Sequence, residues 1–529
     1  MVLLIQLPPE ILHNILSFVE PRDLVEASRA CRHLYGFTKG NRTLARDIYH
    51  RTLDTLPCND LDWELELRDL VRLQRVCASV SEDDKKPELL PFVYATVTRL
   101  LQNASHSPSA APPVRSSQTR TYPPSRNAAL LSSLFAADAA REAFLSRSFL
   151  FDRARGEVEM LASPPRPHHQ QSAKLHSLYG MPAAAPTQGG GGGGRAYRTR
   201  SASVMATAAT RLYPYACAKV YDMREYTRAS MWGPFMADGS GRVDWEKVEA
   251  ILVVLRSNIW NKGLDKFDVF GSLWNAPFAG SWAGSYLRWP AEGEEGDEET
   301  EQERLRREDP YDVTGTWLRV VCFLDYNDFD NYNFPIGQGR LPSNMPRPAL
   351  DVGEATRLIL MKIAVTKIEY PGGVDTDQPQ QYPVVHFSGF SRSFDGSWDE
   401  NANSDLRGTA SMTAEGEVRW TTFSIFNGED RWRSEGIQLG GVRSARGVVG
   451  NWFDNGYDPH GPCGPTAFWK VSDSEPKDGD HRGLLNGFLP TVQYGYDDVN
   501  IDEEDFSDVE FVDAATHGHY HGFDSDNDG

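Results

Sequence analysis

Apolar residues at helical spacing dominate the first part of the chain. They recur every three or four positions between residues 2 and 49, and again at 61–76 and 91–101, while strand-like alternation is nearly absent. Such spacing places apolar side chains on one side of each helix, where they can pack against a neighbouring element. The pattern therefore predicts an all-α region over residues 1–103.

The next part of the chain loses this periodicity. Residues 104–210 contain proline pairs, three alanines at 183–185 and six consecutive glycines at 189–194. Such a composition buries too little apolar surface to offset the entropy of an ordered chain, so we predict a disordered linker over 104–210. Apolar residues between 128 and 151 can share one face, which makes a single docking helix at 128–151 possible inside this linker.

The pattern changes again in residues 211–475. One amphipathic helix is predicted at 244–260. It is followed by short runs rich in β-branched and aromatic residues, separated by glycine-rich clusters, at 315–324, 357–370, 384–387, 418–426 and 447–453. We predict a mainly antiparallel β-domain, a barrel or a sandwich, with one or two helices, as part of a multidomain chain.

The acidic charge of the chain is concentrated in two segments. The formal net charge is −20, of which residues 292–309 carry −7 and residues 497–529 carry −12, whereas the predicted linker carries +7. We expect 292–309 to be a surface insertion that interrupts the sheet and 476–529 to be an acidic disordered tail. The acidity argues against a nucleic-acid binder, although charge held in two segments says little about the folded surfaces.

Targeting and membrane signals are weak in this sequence. Residues 1–5 are apolar but lack a basic flank, and the longest apolar run, near 250–255, is far shorter than a membrane span. The six cysteines are widely spaced and form no CxxC pair, which disfavours a zinc cluster or a disulfide framework. We expect a protein of the cytoplasm or nucleus that does not bind membranes.

The segment 7–35 carries the most specific local pattern. Pro8 and Pro9 suit the first turn of a helix, where the missing N–H costs nothing, and Pro21 ends that helix. Four apolar residues then fall on one helix face: Ile11, Leu12, Ile15 and Leu16. Two short helices cannot cover both of their faces, so the leftover apolar surface predicts a protein partner.

This segment resembles the F-box over roughly residues 5–48, with Leu-Pro, Glu-Ile-Leu, Ile-Leu, Pro-x-Asp-Leu and Cys-Arg in the family's order. It departs from the family at Leu34 and Tyr35, where tryptophan is frequent. The resemblance implies an F-box unit at 1–50, a helical extension at 51–103, and binding of the Skp adaptor, which docks on a cullin–RING ubiquitin ligase. The implied adaptor-facing residues are Leu7, Pro8, Ile11, Leu12, Ile15, Leu16, Leu24 and Cys31.

A second resemblance concerns residues 211–475. Glycine precedes tryptophan at strand entries such as Gly315-Thr-Trp317 and Gly396-Ser-Trp398, which fits tryptophans plugging a barrel. The pattern is weakly similar to F-box-only receptors with a lipocalin-like β-barrel, and segments such as 322–326 and 440–446 resemble a group of fungal F-box proteins. The resemblance implies a β-domain that holds a protein substrate for ubiquitin-dependent degradation.

Candidate contact residues in the β-domain are few. Arg443 and Arg446 sit in a glycine-rich stretch and suit bidentate recognition of a carboxylate, although a structural partner is an equally good interpretation. Trp452 and Asp325 complete the candidate substrate-binding set. The acidic segment 325–330 lacks the spacing of a calcium loop, and alternate histidines at 517–521 would bind a transition metal only weakly, so we expect neither metal nor cofactor.

Three functions are compatible with these features. The first is a non-catalytic substrate-recognition subunit of a Skp–cullin–F-box ligase, because no nucleophile or acid–base set is evident. The second is a small-ligand-binding or enzymatic barrel that carries an F-box. The third is an F-box–Skp complex that acts outside ubiquitination.

Overall fold

The structure is a computed structural model. It describes residues 4–54, 61–79, 87–106, 125–156, 167–181, 212–264, 274, 276–287, 300–335, 342, 345–370, 382–393 and 403–473.

Helices are the regular secondary structure of the first 181 residues in the described ranges. Their bounds are α1 (Pro9–Leu16), α2 (Pro21–Ala30), α3 (Arg32–Thr38), α4 (Arg42–Thr52), α5 (Trp63–Ala78), α6 (Leu90–Gln102), α7 (Arg126–Leu134), α8 (Asp138–Phe144), α9 (Phe149–Arg155) and α10 (Pro167–Tyr179). Prolines open α1 and α2, and the side chains of Asn41 and Asp62 accept the backbone N–H groups of Leu44 and Leu65 to cap α4 and α5. The all-α prediction for this region is confirmed.

The predicted linker is wrong where the structure describes it. Residues 125–156 and 167–181 form α7–α10, and the possible helix at 128–151 is three short helices. Phe135 and Phe144 are fully buried in one core with α1, α4, α5 and α6. The remaining linker segments (107–124, 157–166 and 182–211) and the acidic tail lie outside the described residues.

A buried carboxylate anchors the start of α7. Asp54, which directly follows α4, accepts hydrogen bonds from the Ser125 hydroxyl and from the backbone N–H groups of Ser105 (3.0 Å) and Arg126 (2.8 Å). These long-range contacts explain why composition mispredicts the segment: short helices are ordered by partners distant in the chain, not by their own periodicity.

Eight antiparallel strands close into a barrel in which each strand pairs with its neighbours in the chain and β1 pairs with β8. The strands are β1 (Gly315–Phe323), β2 (Ala355–Glu369), β3 (Val384–Ser393), β4 (Ser404–Met412), β5 (Val418–Phe426), β6 (Glu429–Gln438), β7 (Val448–Asp454) and β8 (Cys463–Ser472). The predicted β-domain is therefore confirmed as a barrel.

Helices surround this barrel on its outside and at one end. They are α11 (residues 212–220), α12 (Trp245–Asn261), α13 (Glu301–Glu308) and α14 (Tyr326–Asn333). The predicted helix at 244–260 is α12, which Asp244 caps and which packs on β1, β7 and β8. No helix in the described part of the chain is long and apolar enough to cross a membrane.

The acidic run does not interrupt the sheet. Its described part, residues 300–309, forms α13, which precedes β1 and is capped at Thr300 and Glu303 by a reciprocal pair of hydrogen bonds. Leu305 is buried with aromatic residues of the barrel. The expected insertion within the sheet is therefore wrong, because the one apolar residue of this run docks the helix before the first strand begins.

The helix α10 joins the helical half of the chain to the barrel. It packs against α6 on one side and α12 on the other, and Lys174 Nζ lies 2.5 Å from Glu417 Oε1 in the β4–β5 connection. We call the barrel end that carries the β2–β3, β4–β5 and β6–β7 connections the proximal end, and the opposite end the distal end.

Candidate functional sites

Exposed apolar side chains are concentrated around α1. Leu4, Ile5, Ile11, Ile15 and Phe18 are between 41% and 67% exposed, and we call this set the α1 surface. Among the described residues, the strongly exposed leucines and isoleucines all belong to it. Such a contiguous apolar group on a small helical unit is typical of a protein-binding surface.

The opposite side of α1 belongs to the protein's own core. Leu12 and Leu16 are 1% and 3% exposed and pack with Leu34, Leu44 and Ile48. Because 3.6 residues complete one helical turn, Ile11 and Ile15 point outward while Leu12 and Leu16 point inward. The helix α1 thus has an exposed apolar side and a side that packs into the core.

The eight predicted adaptor-facing residues therefore divide into three groups. Pro8, Ile11 and Ile15 are exposed, and Leu7, Leu24 and Cys31 are half-buried. The prediction that Leu12 and Leu16 face the adaptor is wrong, because both side chains point into the protein core. Sequence reasoning misses Phe18, which is 67% exposed and has the Arg51 guanidinium 3.5 Å from its ring centroid. The spacing of Phe18 from Ile11 and Ile15 is the signal that could have found it.

The predicted substrate residues do not form one site, because they lie at opposite ends of the barrel. Arg443 and Arg446 are in the β6–β7 connection at the proximal end. Trp452 lies near the distal end of β7, and Asp325 follows β1 at that same end. The strand order therefore keeps the two arginines away from the other two residues.

Arg446 is buried and makes structural contacts, so its predicted role as a substrate-binding residue is wrong. It is 1% exposed and donates to the backbone oxygens of Tyr179 (3.2 Å) and Ala276 (2.7 Å). Burial lowers the pKa of its guanidinium to about 9. Since Tyr179 is the last residue of α10, Arg446 ties the end of that helix to the barrel.

The other three predicted residues also make local structural contacts. Arg443 has a left-handed backbone (φ 55°), and its backbone oxygen accepts from the N–H of Tyr286 at 3.0 Å. Asp325 caps α14 by accepting the N–H of Asn327. Trp452 donates its indole N–H to the Cys322 backbone oxygen at 3.0 Å. The predicted role of Asp325 as a substrate contact is therefore corrected: its side chain caps α14.

The barrel interior has an apolar half near its proximal end. Trp317 of β1 and Trp420 of β5 are edge to face with ring centroids 5.1 Å apart, although their strands lie on opposite sides of the barrel. Phe387 and Phe468 pack on Trp420. Tryptophans thus plug this half of the barrel, as the glycine–tryptophan pattern predicts.

The other half of the interior is polar. Arg319 of β1 donates its Nε–H to Thr466 Oγ1 of β8 (2.9 Å) and its Nη2–H to Ser434 Oγ of β6. Strands β1 and β6 are not neighbours, so the arginine reaches Ser434 through the interior. We call this half of the barrel the distal interior; its inward-facing polar residues include Arg319, Ser391, Ser404, Thr422, Ser434 and Thr466.

Arg319 is a site residue that sequence reasoning misses. It sits within an apolar strand, where the alternation with Leu318 and Val320 places it on the opposite face from those two residues. It is 5% exposed, and burial lowers its pKa to about 10. The sequence signal for such a residue is a charge on the inward face of a barrel strand. The sequence alone does not give this signal, because only the closed barrel defines which face is inward.

A surface cavity of about 540 Å³ lies between α12 and the β1–β2 connection, lined by Tyr213, Asn258, Lys262 and Glu354 among others. The Glu354 carboxylate accepts hydrogen bonds from Tyr213 (2.7 Å), Asn258 (2.6 Å) and Tyr221. Burial raises the pKa of Glu354, and the three donors oppose that rise. The carboxylate holds α11, α12 and β2 together, so its contacts are structural.

No group of three or more His, Cys, Asp or Glu side chains able to hold a metal ion occurs within the described ranges. The alternate histidines at 517–521 lie outside them.

Comparison with known proteins gives one match. A family model described as F-box-like matches residues 4–51, which span α1–α4 and contain the whole α1 surface. No curated protein and no solved structure matches the chain. The chain therefore carries an F-box-like domain, which supports an F-box protein.

Proposed function

We propose that this protein is the substrate-recognition subunit of a Skp–cullin–F-box ubiquitin ligase. In this proposal the α1 surface binds the Skp adaptor, the adaptor links the chain to a cullin–RING ligase, and the barrel domain holds a protein substrate for ubiquitin-dependent degradation. The protein itself is non-catalytic and acts in the cytoplasm or nucleus.

One observation carries the proposal. The exposed leucines and isoleucines of the described chain lie within the F-box-like residues 4–51, and F-box domains generally bind the Skp adaptor. Leaving that much apolar surface in water is unfavourable by roughly 25 cal/mol per Å², so a partner that covers it gains this free energy.

The barrel supports the receptor half of the proposal. An up-and-down barrel of eight strands is the architecture of lipocalins, which agrees with the resemblance to F-box-only receptors of that type. Contacts of α10 and Arg446 hold the barrel against the helical half, so a substrate on the barrel would stay at a defined position relative to the adaptor. The fungal type stays a prediction.

Co-purification tests this function. The tagged full chain should retain both the Skp adaptor and the cullin, and the double variant Leu7→Ala, Pro8→Ala should retain neither. A matched control is Tyr457→Ala, which removes an exposed aromatic side chain from the barrel and should leave both partners bound.

The two partners decide between outcomes. If the adaptor binds the double variant at full strength, the F-box assignment is wrong. If the adaptor binds but the cullin is absent, the complex acts outside ubiquitination. Proteins that accumulate on the double variant, which cannot deliver them to the ligase, are the candidate substrates.

A further inference from the structure

Arg319 is a buried cation with no acidic partner among the residues that the structure describes. Its side chain donates only to the hydroxyls of Thr466 and Ser434 among the described residues. Neutral hydroxyls do not balance a charge, and removing an ion from water is unfavourable even after the protein relaxes. Buried arginines are for this reason almost always paired.

Two other deeply buried charges of the same barrel have partners of opposite charge. Lys470, whose strand register places it beside Trp317, lies 3.0 Å from Asp312 and 3.2 Å from Asp473. Glu435, fully buried on β6, lies 2.8 Å from Arg419 and is also paired with Arg433. Arg319 differs from Lys470 and Glu435 because its side-chain contacts within the described ranges are to neutral hydroxyls alone.

A second observation lies next to the first. Thr422 of β5 is directly opposite Ser434 of β6, and its buried hydroxyl oxygen has no hydrogen-bond partner within the described part of the chain. Thr422 is 3% exposed. A buried hydroxyl without a hydrogen bond is destabilising. A hydroxyl in this state, opposite the Ser434 that Arg319 contacts, indicates a missing polar group.

The surroundings define the chemistry of that group. Arg319 is the one deeply buried cation in the distal interior, while Arg357, one register step nearer the distal end, is half-buried. Phe468 lies opposite Arg319 on β8, and Trp432 and Trp452 meet edge to face, with ring centroids 5.2 Å apart, on β6 and β7. The single buried charge of Arg319, with aromatic rings around it, suits a singly charged anion that also has an apolar part.

We propose that the distal interior binds the carboxylate of an aromatic or aliphatic monocarboxylate, which pairs with Arg319 and accepts a hydrogen bond from the Thr422 hydroxyl. The guanidinium fork matches a carboxylate in plane and spacing. The carboxylate belongs either to a free small acid or to the carboxyl end of a peptide, and thermal melting separates these two sources. This proposal does not depend on the F-box assignment.

Thermal melting of the full chain tests the site. Benzoate and hexanoate, as free acids, and a pool of short peptides with free carboxyl ends should each be compared with their neutral amides. The expected result is a rise in melting temperature with the acids or with the free-ended peptides, and none with the matching amides. If no carboxylate of either kind raises the melting temperature, or if amides act equally, the proposal is overturned.

Three variants connect the effect to the site. Arg319→Met should weaken carboxylate binding by about a hundredfold or more, and Thr422→Val by about tenfold. Thr409→Val makes the same change on the outward face of β4, opposite Thr421, and should leave binding unchanged.

The melting temperatures of the variants without ligand show whether Arg319 binds a ligand or stabilises the fold. Removing an unpaired buried charge should leave the melting temperature of Arg319→Met equal to or above that of the parent. If Arg319→Met melts well below the parent and Thr422→Val binds carboxylates normally, Arg319 is a structural residue and the proposal is wrong. If Arg319→Met does not fold, the affinity of Thr422→Val decides by itself.

Discussion

The two sides of α1 allow a quantitative test of the adaptor surface. Ile11 and Ile15 are 48% and 42% exposed, so a partner that covers them buries about half of each side chain. Complete burial of an isoleucine contributes roughly 1.5–3 kcal/mol, so each remaining half contributes about 1 kcal/mol. The double variant Ile11→Ala, Ile15→Ala should therefore bind the adaptor about 30-fold more weakly, which corresponds to about 2 kcal/mol.

The inward residue Leu12 is the matched control. It is 1% exposed, so Leu12→Ala leaves a cavity and should lower the free energy of unfolding by about 2–5 kcal/mol. The folded fraction of this variant should keep its adaptor affinity within about threefold, because Leu12 touches no partner. Calorimetric titration with the purified adaptor measures affinity, and urea unfolding measures stability.

The reasoning is refuted by the reverse result. If Ile11→Ala, Ile15→Ala keeps the parental affinity while folded Leu12→Ala loses it, the adaptor contacts the inward face and α1 must turn or detach on binding. The halves of Ile11 and Ile15 that are already buried in the fold contribute about 1 kcal/mol each on the same scale. A loss of stability in the isoleucine variant well beyond about 2 kcal/mol would therefore show that these side chains serve mainly the core.

Two further predictions concern the barrel and its neighbouring helices. Gly450→Ala should lower the free energy of unfolding by about 3 kcal/mol, because the new Cβ would collide with the Glu435 backbone oxygen across β6–β7. The control is Gly353→Ala, whose new Cβ meets no atom within 4 Å. Equal melting temperatures of the two variants would contradict this prediction. Burial raises the pKa of Glu246 from 4.5 to about 7, so this group stabilises the fold below pH 4.5 and loses that contribution as pH rises to 7. Glu246→Gln should therefore gain stability relative to the parent over that interval in urea unfolding, and a constant difference would exclude the effect.

The elements that the sequence predicts well are those whose own residues determine their burial. The predicted strands at 315–324 and 418–426 coincide with β1 and β5 within one residue, because β-branched and aromatic residues fill both. The sequence pattern misses β4, β6 and β8. Glycine, serine and charged residues dominate β4 and β6. Only the closed barrel gives such polar strands their pairing partners on both sides.

The same distinction explains the site residues. The pattern around Ile11 and Ile15 is local, and its spacing alone predicts both a helix and an exposed apolar face. In the sequence, Arg446 resembles a ligand-binding residue of a glycine-rich loop. In the structure it binds the end of α10, which is far away in the chain. Arg319 looks like an ordinary strand residue, because the hydroxyls around it come from β6 and β8.

The closure of the barrel determines when the β-domain can be completed during synthesis. Every other strand pair joins consecutive strands, but Thr316 of β1 pairs with Ser472 of β8, near the two ends of the barrel sequence. Until β8 leaves the ribosome, β1 and β7 each expose an unpaired edge that other chains can bind. A chain cut short before Cys463 would keep both edges permanently, so premature termination should yield aggregation and not a smaller folded barrel.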